Sequence, residues 1–232
     1  ERRRQALLFL TEGRGATVAV SGDDRMRSLS LNGLGQGSLS AVPPHWVLES
    51  LLNALIPLAH VEEPKRALVV GLGAGVTVDA LLDLDSAVNV EVVELEPEVV
   101  DAVDTIFQDR ENPLESDRVE LYINDARHQL LVNRARGGQR YDIITSMPAH
   151  PWVAASIFTK EFFEIARANL TDRGVFCTWF GLAKIDVEAV RSLLRAFDGA
   201  FEYSYAYLVP ETGAFYLVGY PRSIGWNPSR YE

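Results

Sequence analysis

A chain of 232 residues, 47% hydrophobic and 23% charged, holds enough apolar material to bury one α/β domain with a small appendage, and that balance excludes a disordered segment. Its net charge of −10 argues against a nucleic-acid partner, because phosphate binding needs a positive footprint, and leaves room for a cationic ligand. The lone cysteine, Cys177, excludes an internal disulfide and a cysteine-rich zinc site; set in an apolar run, it reads as a small buried hydrophobe. No metal site is visible, and a cytoplasmic location is the default.

No apolar run reaches the roughly 20 residues of a membrane helix, and no signal-peptide pattern opens the chain. Glu1 is followed by Arg2, Arg3 and Arg4. This start suits a segment of a longer protein, and the basic cluster fits either a solvated tail or the cytoplasmic flank of a preceding membrane span.

Three short β-rich runs come first, over residues 6–10, 16–20 and 27–31, separated by polar glycine-containing turns. They predict a small antiparallel β-domain over residues 1–40. Residues 32–37 (Asn-Gly-Leu-Gly-Gln-Gly) read as too glycine-rich for regular structure. Leu48, Leu51, Leu52 and Leu55 have helical spacing, in a helix predicted to stop before Pro57.

From residue 66 onward strands and helices alternate. An apolar strand (Ala67 to Val70) runs into a glycine turn (Gly71, Gly73, Gly75), a helix starts near Val76, and a second strand (Val90 to Val93) ends on Glu94. Such a unit builds a nucleotide pocket, since glycines admit the ligand to the backbone and a helix N-terminus offers free N–H groups. Glu94, 21 residues after Gly73, stands where an acid can accept hydrogen bonds from both ribose hydroxyls. As a bare pattern, the glycines also suit an ordinary tight turn.

Pro97 suits the first turn of the next helix, whose buried face is Val99, Val100, Val103, Ile106 and Phe107. Strands follow at 119–123, 141–145 and 175–179. The helices between them are capped by Thr159 or ended by Gly137-Gly138, with a further helix capped by Asp186. Two last strands, 201–209 and 214–220, are joined by a tight turn, so antiparallel pairing must close an otherwise parallel sheet. This predicts a doubly wound sheet of the class I methyltransferase type over residues 41–232. Ligands bind such sheets beyond the strand C-termini. That rule gathers the glycine turn, Glu94, Asp125 and the loop 146–152 at one edge. Asp125 reads either as an acceptor for an adenine amino group or as a helix cap.

The stretches Leu31-Asn32-Gly33-Leu34-Gly35-Gln36, Val70-Gly71-Leu72-Gly73-Ala74-Gly75, Val93-Glu94-Leu95-Glu96-Pro97, Asn124-Asp125-Ala126-Arg127 and Phe158-Thr159-Lys160-Glu161-Phe162-Phe163 resemble the spermidine synthase (polyamine aminopropyltransferase) family over nearly the whole length. The likeness is greatest to a divergent branch often fused to membrane segments. It implies an N-terminal β-domain, a methyltransferase-like catalytic domain and a homo-dimer or tetramer. It also implies that Gln36, the glycine turn, Glu94 and Asp125 bind S-adenosylmethionine, its decarboxylated form or methylthioadenosine.

The family's loop after the fourth strand carries two aspartates that hold and deprotonate the attacking amine; alignment on Pro151 places Met147 and His150 there. His150 is the basic group left in that loop, and Glu49 is a carboxylate available from the preceding helix. Efficient aminopropyl transfer to putrescine is therefore not expected. A methyl- or aminopropyltransferase acting on a different acceptor, and a non-catalytic nucleoside-binding or assembly domain, are the alternative readings.

Overall fold

The computed structural model describes residues 5–40, 45–148, 154–182, 185–210 and 212–222. Its first sheet is antiparallel, with β1 (Ala6–Glu12), β2 (Thr17–Gly22), β3 (Met26–Leu31) and β4 (Leu34–Ser40) in sequence order. Alternation sends Val18, Val20 and Leu29 into the core. The fourth strand corrects the expectation of irregular structure after residue 31. Asn32 and Gly33 both take positive φ, 50° and 76°, which makes the tight turn of a two-residue hairpin. Gly37 lets β4 approach the turn after β5 closely: a Cβ there would lie 3.1 Å from the Ala74 Cβ.

The second sheet holds β5 (Arg66–Val70), β6 (Asn89–Glu94), β7 (Val119–Ile123), β8 (Tyr141–Ser146), β9 (Leu170–Gly181), β10 (Tyr203–Val209) and β11 (Ala214–Tyr220). Their order is β10-β11-β9-β8-β5-β6-β7. β5 to β9 pair in parallel and β11 is antiparallel to both its neighbours. This is the expected doubly wound sheet closed by a hairpin, and its switch point lies between β5 and β8.

Alternation along β5 splits the core. Ala67 and Val69 face a cluster that includes Val78, Val92, Val103 and Phe107, while Leu68 and Val70 face one built on Phe162, Phe163, Phe176 and Phe197. Cys177 is fully buried in the first cluster, where burial pushes its thiol well above the ordinary value. β9 starts at Leu170, five residues before the predicted start, because Leu170 pairs with Tyr141 ahead of a register shift.

The helices are α1 (His45–His60), α2 (Val76–Leu84), α3 (Glu98–Ile106), α4 (Ala126–Ala135), α5 (Lys160–Asn169) and α6 (Val187–Asp198). Asp125, Thr159 and Asp186 cap α4, α5 and α6 through the N–H groups of His128, Phe162 and Ala189. Among the described residues no helix is long and apolar enough to cross a membrane.

α1 departs from its prediction at its C-terminal end. It runs through Pro57 instead of stopping before it. Proline removes the N–H that would serve the Asn53 carbonyl, and the Thr145 hydroxyl donates to that carbonyl instead, at 2.7 Å. The helix is also rotated relative to the leucine stripe. Leu48 and Leu55 are exposed, whereas Ser50, Asn53, Ala54 and Pro57 face inward. The cause is the neighbour: part of this face looks onto a cavity, where polar side chains are accommodated.

Candidate active site

The glycine turn leaves β5 with Gly71, Gly73 and Gly75 at φ 84°, 54° and 79°, three left-handed positions that side chains with a Cβ disfavour. Glu94, buried at the end of β6, holds it in place. Its Oε2 accepts from the Leu72 N–H at 2.8 Å, and its Oε1 accepts from the N–H groups of Leu95 and Glu96 at 2.8 and 2.9 Å. Burial pushes the Glu94 carboxyl above the ordinary value, opposed by these N–H donors. Helix α2 then begins at Gly75 with no side-chain cap, so its first N–H groups keep their polarity for a ligand. The β1–β2 turn is pinned above the same strand end, since the Glu96 carboxylate accepts from the N–H groups of Arg14 and Gly15 at 3.0 and 2.8 Å.

Two chambers meet here. The first, about 140 Å³, is lined by the glycine turn, Glu94, Val99, Thr77, Asn53 and Gln36. The second, about 380 Å³, lies under β3 and β4 and is lined by Ser28, Ser38, Glu49 and Trp179. Leu29, Gln36, Ser50, Met147 and Pro148 line both. Ser50 Oγ lies 3.8 Å from the Met147 sulfur across this shared wall.

Glu49 is half-buried, and burial pushes its carboxyl above the ordinary value while a hydrogen bond from the Thr212 side chain opposes the shift. Hydroxyls fix the helix that carries it: Tyr216 donates to the Glu49 carbonyl at 2.7 Å and Thr77 to the Ser50 carbonyl at 3.1 Å.

The structure therefore gathers Gln36, Gly71, Gly73 and Glu94 on the first chamber, with Gly75 opening α2 beside it, and puts Glu49 on the second. Asp125 is exposed and lines neither chamber. Its Oδ1 accepts the His128 N–H at 3.0 Å as the cap of α4, and it follows Asn124, whose N–H donates to the Glu94 carbonyl at 2.9 Å. His150, Pro151 and Trp152 lie outside the described residues. Sequence reasoning missed Asn53, Thr77, Ser38 and Trp179. Only Asn53 carried a signal, as a polar residue in a helix otherwise rich in leucine. Among the described residues, no group of three or more His, Cys, Asp or Glu side chains is placed to hold a metal.

The chain has known relatives. A polyamine aminopropyltransferase from Pyrococcus abyssi (strain GE5 / Orsay) is 27% identical over 225 residues, 91% of this chain and 73% of that protein. Putrescine N-methyltransferase 1 of Nicotiana tabacum is 28% identical over 157 residues, 65% of this chain and 40% of that protein, so the chain spans less than half of that relative's length. A crystal structure of spermidine synthase in complex with the transition state analogue AdoDATO has the same fold, with a TM-score of 0.76 at 17% identity over 93% of this chain and 72% of that one. The model of the spermine/spermidine synthase domain matches residues 49–218, from Glu49 through the glycine turn and Glu94 to the closing hairpin, and the chain belongs to that family.

Proposed function

We propose that this chain binds an S-adenosyl sulfonium nucleoside in the glycine-turn chamber and passes an alkyl group from it to a nucleophile held in the Glu49 chamber. The observation that carries this reading is the opening of the two chambers onto one wall, formed by Gln36, Ser50 and Met147. The named relatives, an aminopropyltransferase and an N-methyltransferase of putrescine, support a sulfonium donor and an amine acceptor. They differ in the alkyl group moved.

In this reading Glu94 takes the ribose hydroxyls while retaining its backbone donors. Gln36 covers the nucleoside from β4, and Asp125, whose cap bond uses Oδ1, offers Oδ2 to the adenine amino group. Transfer is a displacement. The lone pair of the nucleophile forms a bond to the carbon beside the sulfonium, the carbon–sulfur bond breaks, and its electron pair stays on sulfur as a neutral thioether. The proton released by the amine passes to a base. Glu49, with its carboxyl raised by burial, is suited to accept that proton and to balance one cationic amine.

Among the described residues lining the second chamber, Glu49 is the one carboxylate, and Met147 supplies neither charge nor proton acceptance. An acceptor with a single cationic amine near its reacting end fits this chamber better than putrescine. The test is label transfer from S-adenosylmethionine and from its decarboxylated form to a panel of mono- and diamines, with the thioether product quantified. Turnover that falls about 10²–10⁴-fold in Glu49→Gln supports the reading. Nucleoside binding without turnover on any amine makes the chain a non-catalytic binding domain, and absence of nucleoside binding removes the proposal.

A further inference from the structure

The first chamber contains a polar group that the preceding reading leaves unused. Asn53 is 1% exposed on the inward face of α1, it lines the chamber, and neither its Oδ1 nor its Nδ2 has a hydrogen-bond partner among the described residues. Buried amides are nearly always paired, and an unpaired one is costly. This one is not free to turn away with its helix, because the Thr145 hydroxyl holds the Asn53 carbonyl. The hydroxyl of Ser146, the next residue of β8, is also buried and unpartnered.

Topology says which part of a ligand Asn53 meets. The chamber is lined by β6 and α3 residues (Glu94, Val99), by the turn after β5, and by α1 and β8 residues (Ser50, Asn53, Met147). In the sheet, β5 lies between β6 and β8. With the ribose on Glu94 at the β6 side, the sulfonium and its tail extend across the turn toward β8. Asn53 is tied to that strand, so it stands beside the tail.

The charge inventory then selects between tails. Glu94 is the one carboxylate among the described lining residues of this chamber, and it is engaged at the ribose end. A decarboxylated tail ends in a lone ammonium and finds no second carboxylate among the described residues that line this chamber. The amino-acid tail of intact S-adenosylmethionine is neutral overall and presents both an acceptor carboxylate and a donor ammonium. A carboxamide, with two donor hydrogens and an acceptor oxygen, answers both. We infer that Asn53 is a specificity-determining residue that reads the α-amino carboxylate of the donor and makes intact S-adenosylmethionine the preferred sulfonium. With the tail anchored, the methyl carbon is the one free to pass to the acceptor. The inference rests on the nucleoside reading above and deepens it.

Calorimetric titration of the full chain with S-adenosylmethionine, its decarboxylated form and methylthioadenosine, which lacks the tail, separates the two claims. The wild-type chain should bind the intact donor at least about tenfold more tightly than the decarboxylated one. Asn53→Ala should weaken the intact donor by about 10- to 100-fold, the worth of hydrogen bonds to charged groups, and leave methylthioadenosine within about twofold. Asn53→Asp should reverse the donor preference.

Asn53→Ala should also melt at or above the wild-type temperature, since it removes an unpaired buried amide. Melting below the wild type would mean that the amide is already satisfied in the free protein and would overturn the inference. So would an alanine variant that shifts all three ligands alike or none of them, or a wild-type preference for the decarboxylated donor. Failure of methylthioadenosine to bind the wild-type chain would instead sink the nucleoside reading, and the inference with it.

Discussion

Thr145→Val probes how α1 passes through Pro57 and thereby how Asn53 is held. Pro57 stands four residues after Asn53 and has no N–H to give its carbonyl; the Thr145 hydroxyl replaces it at 2.7 Å. Thr145 is fully buried, so valine keeps the shape and removes only the donor. The Asn53 carbonyl then becomes a buried acceptor without a partner, at a cost of ~1–3 kcal/mol. For a domain of this size each kcal/mol moves the melting temperature by roughly 2–4 °C, which gives a drop of roughly 2–12 °C.

The Thr145 hydroxyl also hydrogen-bonds the Cys177 side chain, so a single variant does not isolate the carbonyl. A double-mutant cycle with Pro57→Ala does, because alanine restores an N–H at position 57. Urea unfolding of the four proteins should show Thr145→Val costing about 1 kcal/mol less in the Pro57→Ala background, the worth of an ordinary hydrogen bond. Equal costs in both backgrounds would refute the account of the helix.

Three further outcomes are expected. Glu94→Gln keeps the size but removes the charge that gathers three N–H groups; it should lower stability by roughly 1–3 kcal/mol and weaken methylthioadenosine in calorimetry, and unchanged affinity would take Glu94 out of the ribose site. Burial raises the Glu49 carboxyl, so amine-dependent turnover should fall as pH drops through that raised value, and Glu49→Gln should lose this limb of the profile. The same shift acts oppositely on stability. As pH rises above the ordinary glutamate value, the unfolded chain releases its proton first, so the Glu49 contribution makes the fold less stable until the raised value is passed. Gly75→Ala should cost roughly 1–3 kcal/mol in urea unfolding, because the residue sits at φ 79° and its Cβ would lie 2.9 Å from the Phe107 ring; a loss below about 0.5 kcal/mol would mean that the turn relaxes.

What the sequence determined by itself is whatever short-range chemistry dictates. The alternation of apolar strands with capped helices is local: Thr159 and Asp186 announce helix starts because their side chains bond N–H groups only three residues on. The glycine turn and Glu94 were legible for the same reason, lying on one strand-turn-helix-strand unit. The closing turn between β10 and β11 is too short for a crossover and so requires an antiparallel strand in the sheet. Tertiary structure decided what depends on a distant neighbour. The glycine-rich β4 is a strand because it pairs with β3, with Gly37 set against Ala74, and Pro57 sits inside α1 because Thr145, 92 residues from Asn53, supplies the missing donor. The inward face of α1 is not legible in its leucines, because periodicity reports that a helix has faces and not what each one meets. Where the neighbour is a cavity, Ser50 and Asn53 turn inward and Leu48 and Leu55 turn out, and only the packed molecule shows which case holds.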